Sequence, residues 1–270
     1  MNFENVFVVF DPTRPNQPAL ERAALIADEA PIKVHVFACI FSELDSELSA
    51  SEQAKEMIKA QKMALEQTVA PLVEKGVEVT TEVEWDKDWY QAVVRASIRH
   101  SADVVLKSSY PHTARQRILN RTSDWTLIRE ALCPVLLVKD TELPEARRIL
   151  AAVDIRNEKG AYEKLNEQVI NFSQRVMEGP NAEVHFINAF QELNAVPDKN
   201  TLARSCGVEN DRVHIQMGKP DDVIVARAKS LEASLVVVGN SARSGVSAMI
   251  NGNTVERVLD KLECDVLSIP

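Results

Sequence analysis

At 270 residues, 45% of them apolar and 26% charged, the chain has the size of two ordinary domains and the composition of a folded globular protein. Its net charge of −9 divides as −5 through Asp140 and −4 beyond, with no basic tail or stripe, which argues against nucleic acid as a partner. No apolar run approaches the roughly 18 residues that cross a bilayer, and Met1-Asn-Phe-Glu-Asn5 lacks the basic start of an export signal, so a cytoplasmic protein without a membrane partner is expected.

In chain order, the apolar runs Val6–Phe10, Val34–Ile40, Val77–Trp85, Val104–Leu106 and Val135–Val138 read as strands. Between them, Pro18–Glu29, Ser51–Glu74, Asp88–His100 and Ser123–Ala131 have helical spacing, with Trp89, Val93 and Ile98 expected to face inward. A polar stretch from Asp140 to Ala146 follows, and the pattern then repeats. Strands are expected at Ile149–Val153, Val184–Phe190, Val213–Met217, Leu235–Val238 and Val266–Ile269, with helices over Gly160–Met177, Pro220–Leu231 and Thr254–Leu262. Runs such as Val-Val-Leu and Val-Leu-Leu-Val are apolar throughout, as in a parallel sheet covered on both faces. The expected fold is therefore α/β: two tandem open parallel five-stranded sheets with helices on both faces, in domains 1–140 and 146–270.

The repeat is visible in the residues themselves. Asn5-Val-Phe-Val-Val-Phe10-Asp11 matches Arg148-Ile-Leu-Ala-Ala-Val153-Asp154, and Val34-His35-Val36-Phe37 matches Val184-His185-Phe186-Ile187. Cys133-Pro-Val-Leu-Leu-Val138 matches Cys264-Asp-Val-Leu-Ser-Ile269. The second copy is shorter between Phe190 and Arg212, where Asp198–Cys206 offers about two helical turns in place of the long Ser51–Glu74 helix. One sheet face of that copy is expected to be less covered, with small residues such as Ala189 lining it. Both copies end in short apolar strands, and bare strand edges invite pairing. An internal pseudo-dimer of the two domains and a homodimer of the chain are the expected associations.

Ligands of open parallel sheets sit beyond the carboxyl ends of the strands, where strand order reverses. In the second copy Asp154 ends the first strand, Gly239 follows Leu235–Val238, and Gly252-Asn253-Thr254 opens the last helix. Glycines admit close backbone approach, and a helix start attracts phosphate. Arg243 adds charge. The alternative is that the glycines are turns and Asn253 or Thr254 a cap. The first copy has Ser108 and Arg121 where the second has Gly239 and Gly252, and gathers Lys107, His112, Arg115 and Arg117 instead; Asp124 reads as a helix cap.

Catalytic motifs are lacking. The chain has no Gly-x-x-x-x-Gly-Lys-Ser/Thr loop and no His-Glu-x-x-His. Gly239-Asn-Ser241-Ala-Arg243 starts like a nucleophile elbow but has arginine in place of the second glycine. Cys39, Cys133, Cys206 and Cys264 are scattered singly and read as buried thiols of a reducing compartment. His35 and His185 occupy matching strand positions and read as packed structural residues, with no metal site expected.

These residues resemble the universal stress protein family, over essentially the whole chain. Val8-Val9-Phe10-Asp11-Pro12, Thr122-Ser123-Asp124-Trp125, Gly218-Lys-Pro220, Gly245-Val-Ser-Ala and Gly252-Asn-Thr254-Val-Glu256 carry the likeness, which is strongest to the tandem two-domain bacterial, E-type branch. The resemblance implies a Rossmann-like sheet of the adenine nucleotide alpha hydrolase type. It also implies adenine near Asp154 and Ala189, the Gly-x-Pro turn at Gly218, and phosphates on Gly239, Gly252 and the Asn253 position, with Thr254 one place beyond the family's hydroxyl residue. Ala242 and Asn253 depart from the family's Gly-x-x-Gly-x9-Gly-Ser/Thr loop. The expected role is that of a stress-response sensor or adaptor in which the second copy takes an adenine nucleotide, ATP or AMP. A slow nucleotide hydrolase and a binder of a larger apolar ligand remain open as alternatives.

Overall fold

A computed structural model describes residues 3–43, 50–110, 126–154, 161–177, 181–193, 196–240 and 254–270. Its contacts divide the chain into two units, 2–140 and 141–270.

In the first unit, β1 (Asn5–Phe10), β2 (Lys33–Ile40), β3 (Glu78–Trp85), β4 (Val104–Ser109) and β5 (Val135–Lys139) form a parallel sheet in the order β3-β2-β1-β4-β5. The central strands are buried on both faces, as their unbroken apolar sequence requires: Val6, Phe7, Val8, Val36, Phe37, Val105 and Leu106 are at most 1% exposed. Helix α1 (Pro18–Glu29) starts at a proline, whose missing N–H costs nothing in the first turn. Helix α2 (Ala50–Glu74) buries Leu65, Val69 and Leu72, an i, i+4, i+7 stripe. Lys75, just beyond α2, pairs with Asp28 of α1, so these two helices share a face. Helix α3 (Trp89–Arg99) and α4, described over 126–130, share the other, joined by Gln91 donating to Glu130.

One expected orientation in α3 is wrong. Val93 is fully buried, but Ile98 is 51% exposed. Trp89 and Ile98 are nine residues apart, about 180° around a helix at 3.6 residues per turn, so they cannot both face the sheet. Ala92, Val93, Ala96 and Ser97 form the buried stripe instead.

The second unit repeats the frame. Strands β6 (Arg147–Ala152), β7 (Ala182–Phe190), β8 (Val213–Met217), β9 (Leu235–Gly239) and β10 (Asp265–Ile269) are parallel in the order β8-β7-β6-β9-β10. Helices α5 (Ala161–Met177) and α6 (Lys199–Cys206) share one face, linked by Gln174 donating to the Cys206 carbonyl at 3.1 Å. Helices α7 (Pro220–Ser230) and α8 (Thr254–Lys261) share the other, where Lys261 and Arg257 of α8 pair with the buried Asp221 of α7.

The shortened helix is real: α6 has 8 residues where α2 has 25. Asp198 caps it, accepting from Thr201 N–H at 2.7 Å, and Gly207 ends it in the left-handed region at φ +67°. Short as it is, α6 buries Leu202, Ala203 and Cys206. Among the described residues of this unit, Met217 at the end of β8, Leu193 and Val196 in the segment after β7, and Tyr162 on α5 are large apolar groups left exposed.

Candidate functional site

Strand order reverses between β1 and β4 in the first unit and between β6 and β9 in the second. An aspartate leaves the first strand at each reversal. A side-chain amide holds the main chain of each one. Gln17 accepts from the Asp11 N–H at 3.1 Å and donates to the Asp11 carbonyl at 2.7 Å. Asn166 does the same for Asp154, at 3.0 and 2.7 Å. Each clamp satisfies two backbone groups where the sheet ladder has ended. The amide lies six residues after the aspartate in one copy and twelve in the other, so comparison of the two sequences does not reveal it.

Between the aspartates and the neighbouring strand ends the two copies diverge. In the first, the Ser108 hydroxyl accepts from Ala19 N–H at 3.0 Å and so satisfies a donor in the first turn of α1. In the second, Gly239 stands in its place. A Cβ there would lie 2.5 Å from Cγ of Leu165, so the side chain of α5 occupies the space that glycine leaves. Gly239 does not use a positive φ; among the described glycines of this copy, Gly207 and Gly218 do.

The first copy's crevice is a cleft of about 350 Å³, at the lower end for a small-molecule site. Asp11, Arg14, Cys39, Asp86, Trp89 and Lys107 are among its lining residues. Lys107 Nζ sits 5.2 Å from the centre of the Trp89 ring and donates to the Ser108 carbonyl at 2.9 Å. Arg14 lies 5.0 Å from the centre of the Tyr110 ring.

The groups in this cleft that could do chemistry are already committed. Asp11 Oδ1 accepts from the Thr13 N–H and hydroxyl at 2.9 and 2.6 Å. Asp86 accepts from Asp88 N–H at 2.8 Å and from Arg95 at 2.6 Å, bonds that hold its carboxyl below the usual range. Burial pushes the Cys39 thiol up to about 11, and it donates to the Asp86 carbonyl. A protonated thiol is a poor nucleophile.

In the second copy Asp154, Ala189 and Gly239 stand at or just beyond the ends of three adjacent strands, β6, β7 and β9. Gly218 is anchored beside them, its N–H donating to the Phe190 carbonyl at 2.8 Å, with φ +148°. Thr254 opens α8. Arg243, Gly252 and Asn253 lie outside the described residues, as do His112, Arg115, Arg117, Arg121 and Asp124 of the first copy. The residue that sequence reasoning missed is Asn188. It is fully buried, donates to the Val153 carbonyl at 2.9 Å, and leaves its Oδ1 without a hydrogen-bond partner. The first copy has Ala38 at that register, so only the second carries this acceptor.

The two strand histidines are not equivalent either. Burial, with the neighbouring His100, pushes His35 down to about 4. His35 is packed as expected, but the fold also brings His100 and Glu82 to it from 65 and 47 residues away. His185 instead shares a hydrogen bond with His214, Nδ1 to Nε2 at 3.1 Å.

Comparison with known proteins accounts for this doubled frame. The universal stress protein family pattern matches residues 2–139 and 187–270. Universal stress protein E of Escherichia coli K12 is 29% identical over 296 aligned residues, covering 99% of this chain and 94% of that protein. The crystal structure of a functionally unknown protein from Pseudomonas aeruginosa PAO1 superposes with a TM-score of 0.79 at 28% identity, covering 99% of this chain and 92% of that one. A universal stress protein from Archaeoglobus fulgidus DSM 4304 gives a TM-score of 0.74 at 16% identity over 98% of this chain and 95% of its own, a likeness of fold alone. No helix among the described residues is long and apolar enough to cross a membrane. The family pattern runs through both halves, which gives the internal repeat its explanation: the chain belongs to the universal stress protein family, in its tandem two-domain form.

Proposed function

We propose that this chain is a ligand sensor of the stress response, acting in the cytoplasm by binding rather than by catalysis, with an adenine nucleotide such as ATP or AMP held in the second copy. The observation that carries the reading is the contrast between the crevices. Reactive groups in the first are bonded or protonated, whereas in the second Asp154, the small Ala189 and Gly239 stand at or just beyond the ends of three adjacent strands, with Ala189 where the first has Cys39. Asp154 and Ala189 would border the base. Gly239, Arg243, Gly252, Asn253 and Thr254 would form the phosphate side.

Calorimetric titration with ATP and AMP tests this. Saturable binding to the wild type, weakened at least tenfold by Ala189→Trp and unchanged by Cys39→Trp at the matching position of the first copy, is the expected result. The opposite pattern would move the site to the first copy, and no saturable binding to the wild type would end the nucleotide reading. Release of ADP above the uncatalysed rate would favour the hydrolase instead.

A homodimer is the second element of the proposal. Leu193, Val196 and Met217 are 77%, 51% and 57% exposed in the copy whose second helix is short. A second chain would cover them, and Leu193→Glu is expected to shift sedimentation velocity toward the monomer.

A further inference from the structure

We propose that His35, Glu82 and His100 form a binding site for a divalent transition ion of the zinc type in the first copy, separate from the strand-end crevice.

The site is set by register and by a helix end. His35 on β2 pairs with Thr80 on β3, and the next same-face pair is Phe37 with Glu82. Period-two alternation therefore puts His35, Thr80 and Glu82 on one face. Helix α3 lies over β2, and its C-cap residue His100 stacks on His35 with ring centres 3.5 Å apart. One ligand atom from each of the three residues lies within 4.8 Å of the other two. Glu82 Oε2 is 2.7 Å from His100 Nε2 and 3.4 Å from His35 Nε2.

Three features point to a cation there. First, His35 is only 8% exposed, and its Nε2 has no hydrogen-bond partner although it faces a carboxylate. Buried polar atoms are normally satisfied; with Nδ1 protonated toward Thr80, the Nε2 lone pair would face the carboxylate, and a metal between them would satisfy both. Second, the surroundings fit a supporting shell. His35 Nδ1 contacts the Thr80 hydroxyl at 2.7 Å, which fixes the ring and lets Nδ1 carry the proton while Nε2 is the ligand. Arg99 holds the other Glu82 oxygen, so Oε2, now in contact with His100 Nε2, is the oxygen that faces both imidazoles and would turn to an ion. Third, an opening of about 130 Å³ lined by His35, His100, Thr80, Asn5, Lys33 and Glu78 adjoins the imidazoles and can supply a water as fourth ligand.

Two imidazoles and a carboxylate with an open position suit Zn²⁺ better than Mg²⁺ or Ca²⁺, which prefer oxygen ligands. Tetrahedral ligands about 2.0–2.1 Å from zinc lie roughly 3.3 Å from one another, so His100 must move away from Glu82 and swing its ring out of the stack. His100 has that freedom, at a helix end with its side chain 35% exposed. The Arg99 charge tempers the affinity.

The second copy is an internal control. Ser101 and Glu232 match as the positive-φ residues after the third helix of each copy, which sets Leu231 in the place of His100. His185 and His214 satisfy each other there.

The test uses the full chain without an affinity tag, stripped with chelator and dialysed against Zn²⁺, with bound metal counted by mass spectrometry and affinity taken from calorimetry. One ion per wild-type chain is expected, with affinity reduced at least tenfold by His100→Ala and by Glu82→Gln and unchanged by His214→Gln. Melting followed by circular dichroism confirms that each variant is folded; Glu82→Gln, which keeps the side-chain shape, decides the matter if His100→Ala is not. No binding to the wild type, or one ion per chain retained at full affinity in Glu82→Gln, overturns the proposal.

Discussion

The first and second copies keep one backbone frame and divide its chemistry differently. At the end of the fourth strand a serine hydroxyl in the first copy completes a helix start, whereas in the second a glycine admits a leucine from the facing helix. On the second strand the first copy has Ala38 and the second the half-satisfied Asn188. On the third strand, Glu82 faces His35 in one copy, and His214 bonds His185 in the other. Parallel pairing fixes where each position lies, so single substitutions at fixed positions change the chemistry without changing the frame. Duplication of a fold is no guide to duplication of a site.

The sharpest way to break this comparison is to exchange the fourth-strand residues. Gly239→Ser places a Cβ against Leu165 and is expected to destabilise the second unit by about 3 kcal/mol, the upper range for overpacking, in urea unfolding. Adding Leu165→Ala should restore part of the loss; a neutral Gly239→Ser would show that Leu165 moves freely. The aspartate clamps come next. Gln17→Ala removes three main-chain hydrogen bonds, to both groups of Asp11 and to the Arg14 carbonyl, and Asn166→Ala two, so costs of about 3 and about 2 kcal/mol are expected; a larger loss from Asn166→Ala would mean that the second crevice depends more on its clamp. Ser108→Ala, which leaves one helix-start donor unmet, should cost about 1 kcal/mol in the first unit. A null result there would place water on the Ala19 N–H.

A last effect is expected from pH. Burial, with Arg227, His185 and Lys199 nearby and Asp211 opposing, pushes His214 down to about 4 from an ordinary value of 6.5. Between those values the unfolded chain takes up a proton that the folded chain refuses, so stability falls as pH drops from 6.5 to 4 and levels below. His214→Gln should reduce that slope in melts across the range, leaving the part that His35, also held near 4, contributes; an unchanged slope would assign it to His35 and other groups.

Much of the frame was legible in the sequence because buried parallel strands are apolar on both faces, and a repeat makes each copy a check on the other. Ile98 shows a limit of the method. It is apolar and lies in an amphipathic helix, but its distance from Trp89 puts it on the far side. The site was less legible. A glycine after a strand serves a phosphate or a neighbouring side chain equally well, and only the distance to Leu165 shows that packing already demands it at Gly239. His35, Glu82 and His100 are spread over 65 residues, so nothing in their spacing marks them as neighbours. Asn188 looks in sequence like any polar residue in a strand; its orphaned oxygen is a property of the folded core.

The half-buried Cys39 and the buried Cys206 bear on how the protein meets oxidants. Burial pushes Cys39 up to about 11 and Cys206 up to about 12. Peroxide attacks the thiolate, and at neutral pH such groups are ionised in about one molecule in ten thousand or fewer. Neither sulfur is therefore poised to become a sulfenic acid, although Cys39 lines an open cleft; what protects it is its protonation rather than its enclosure.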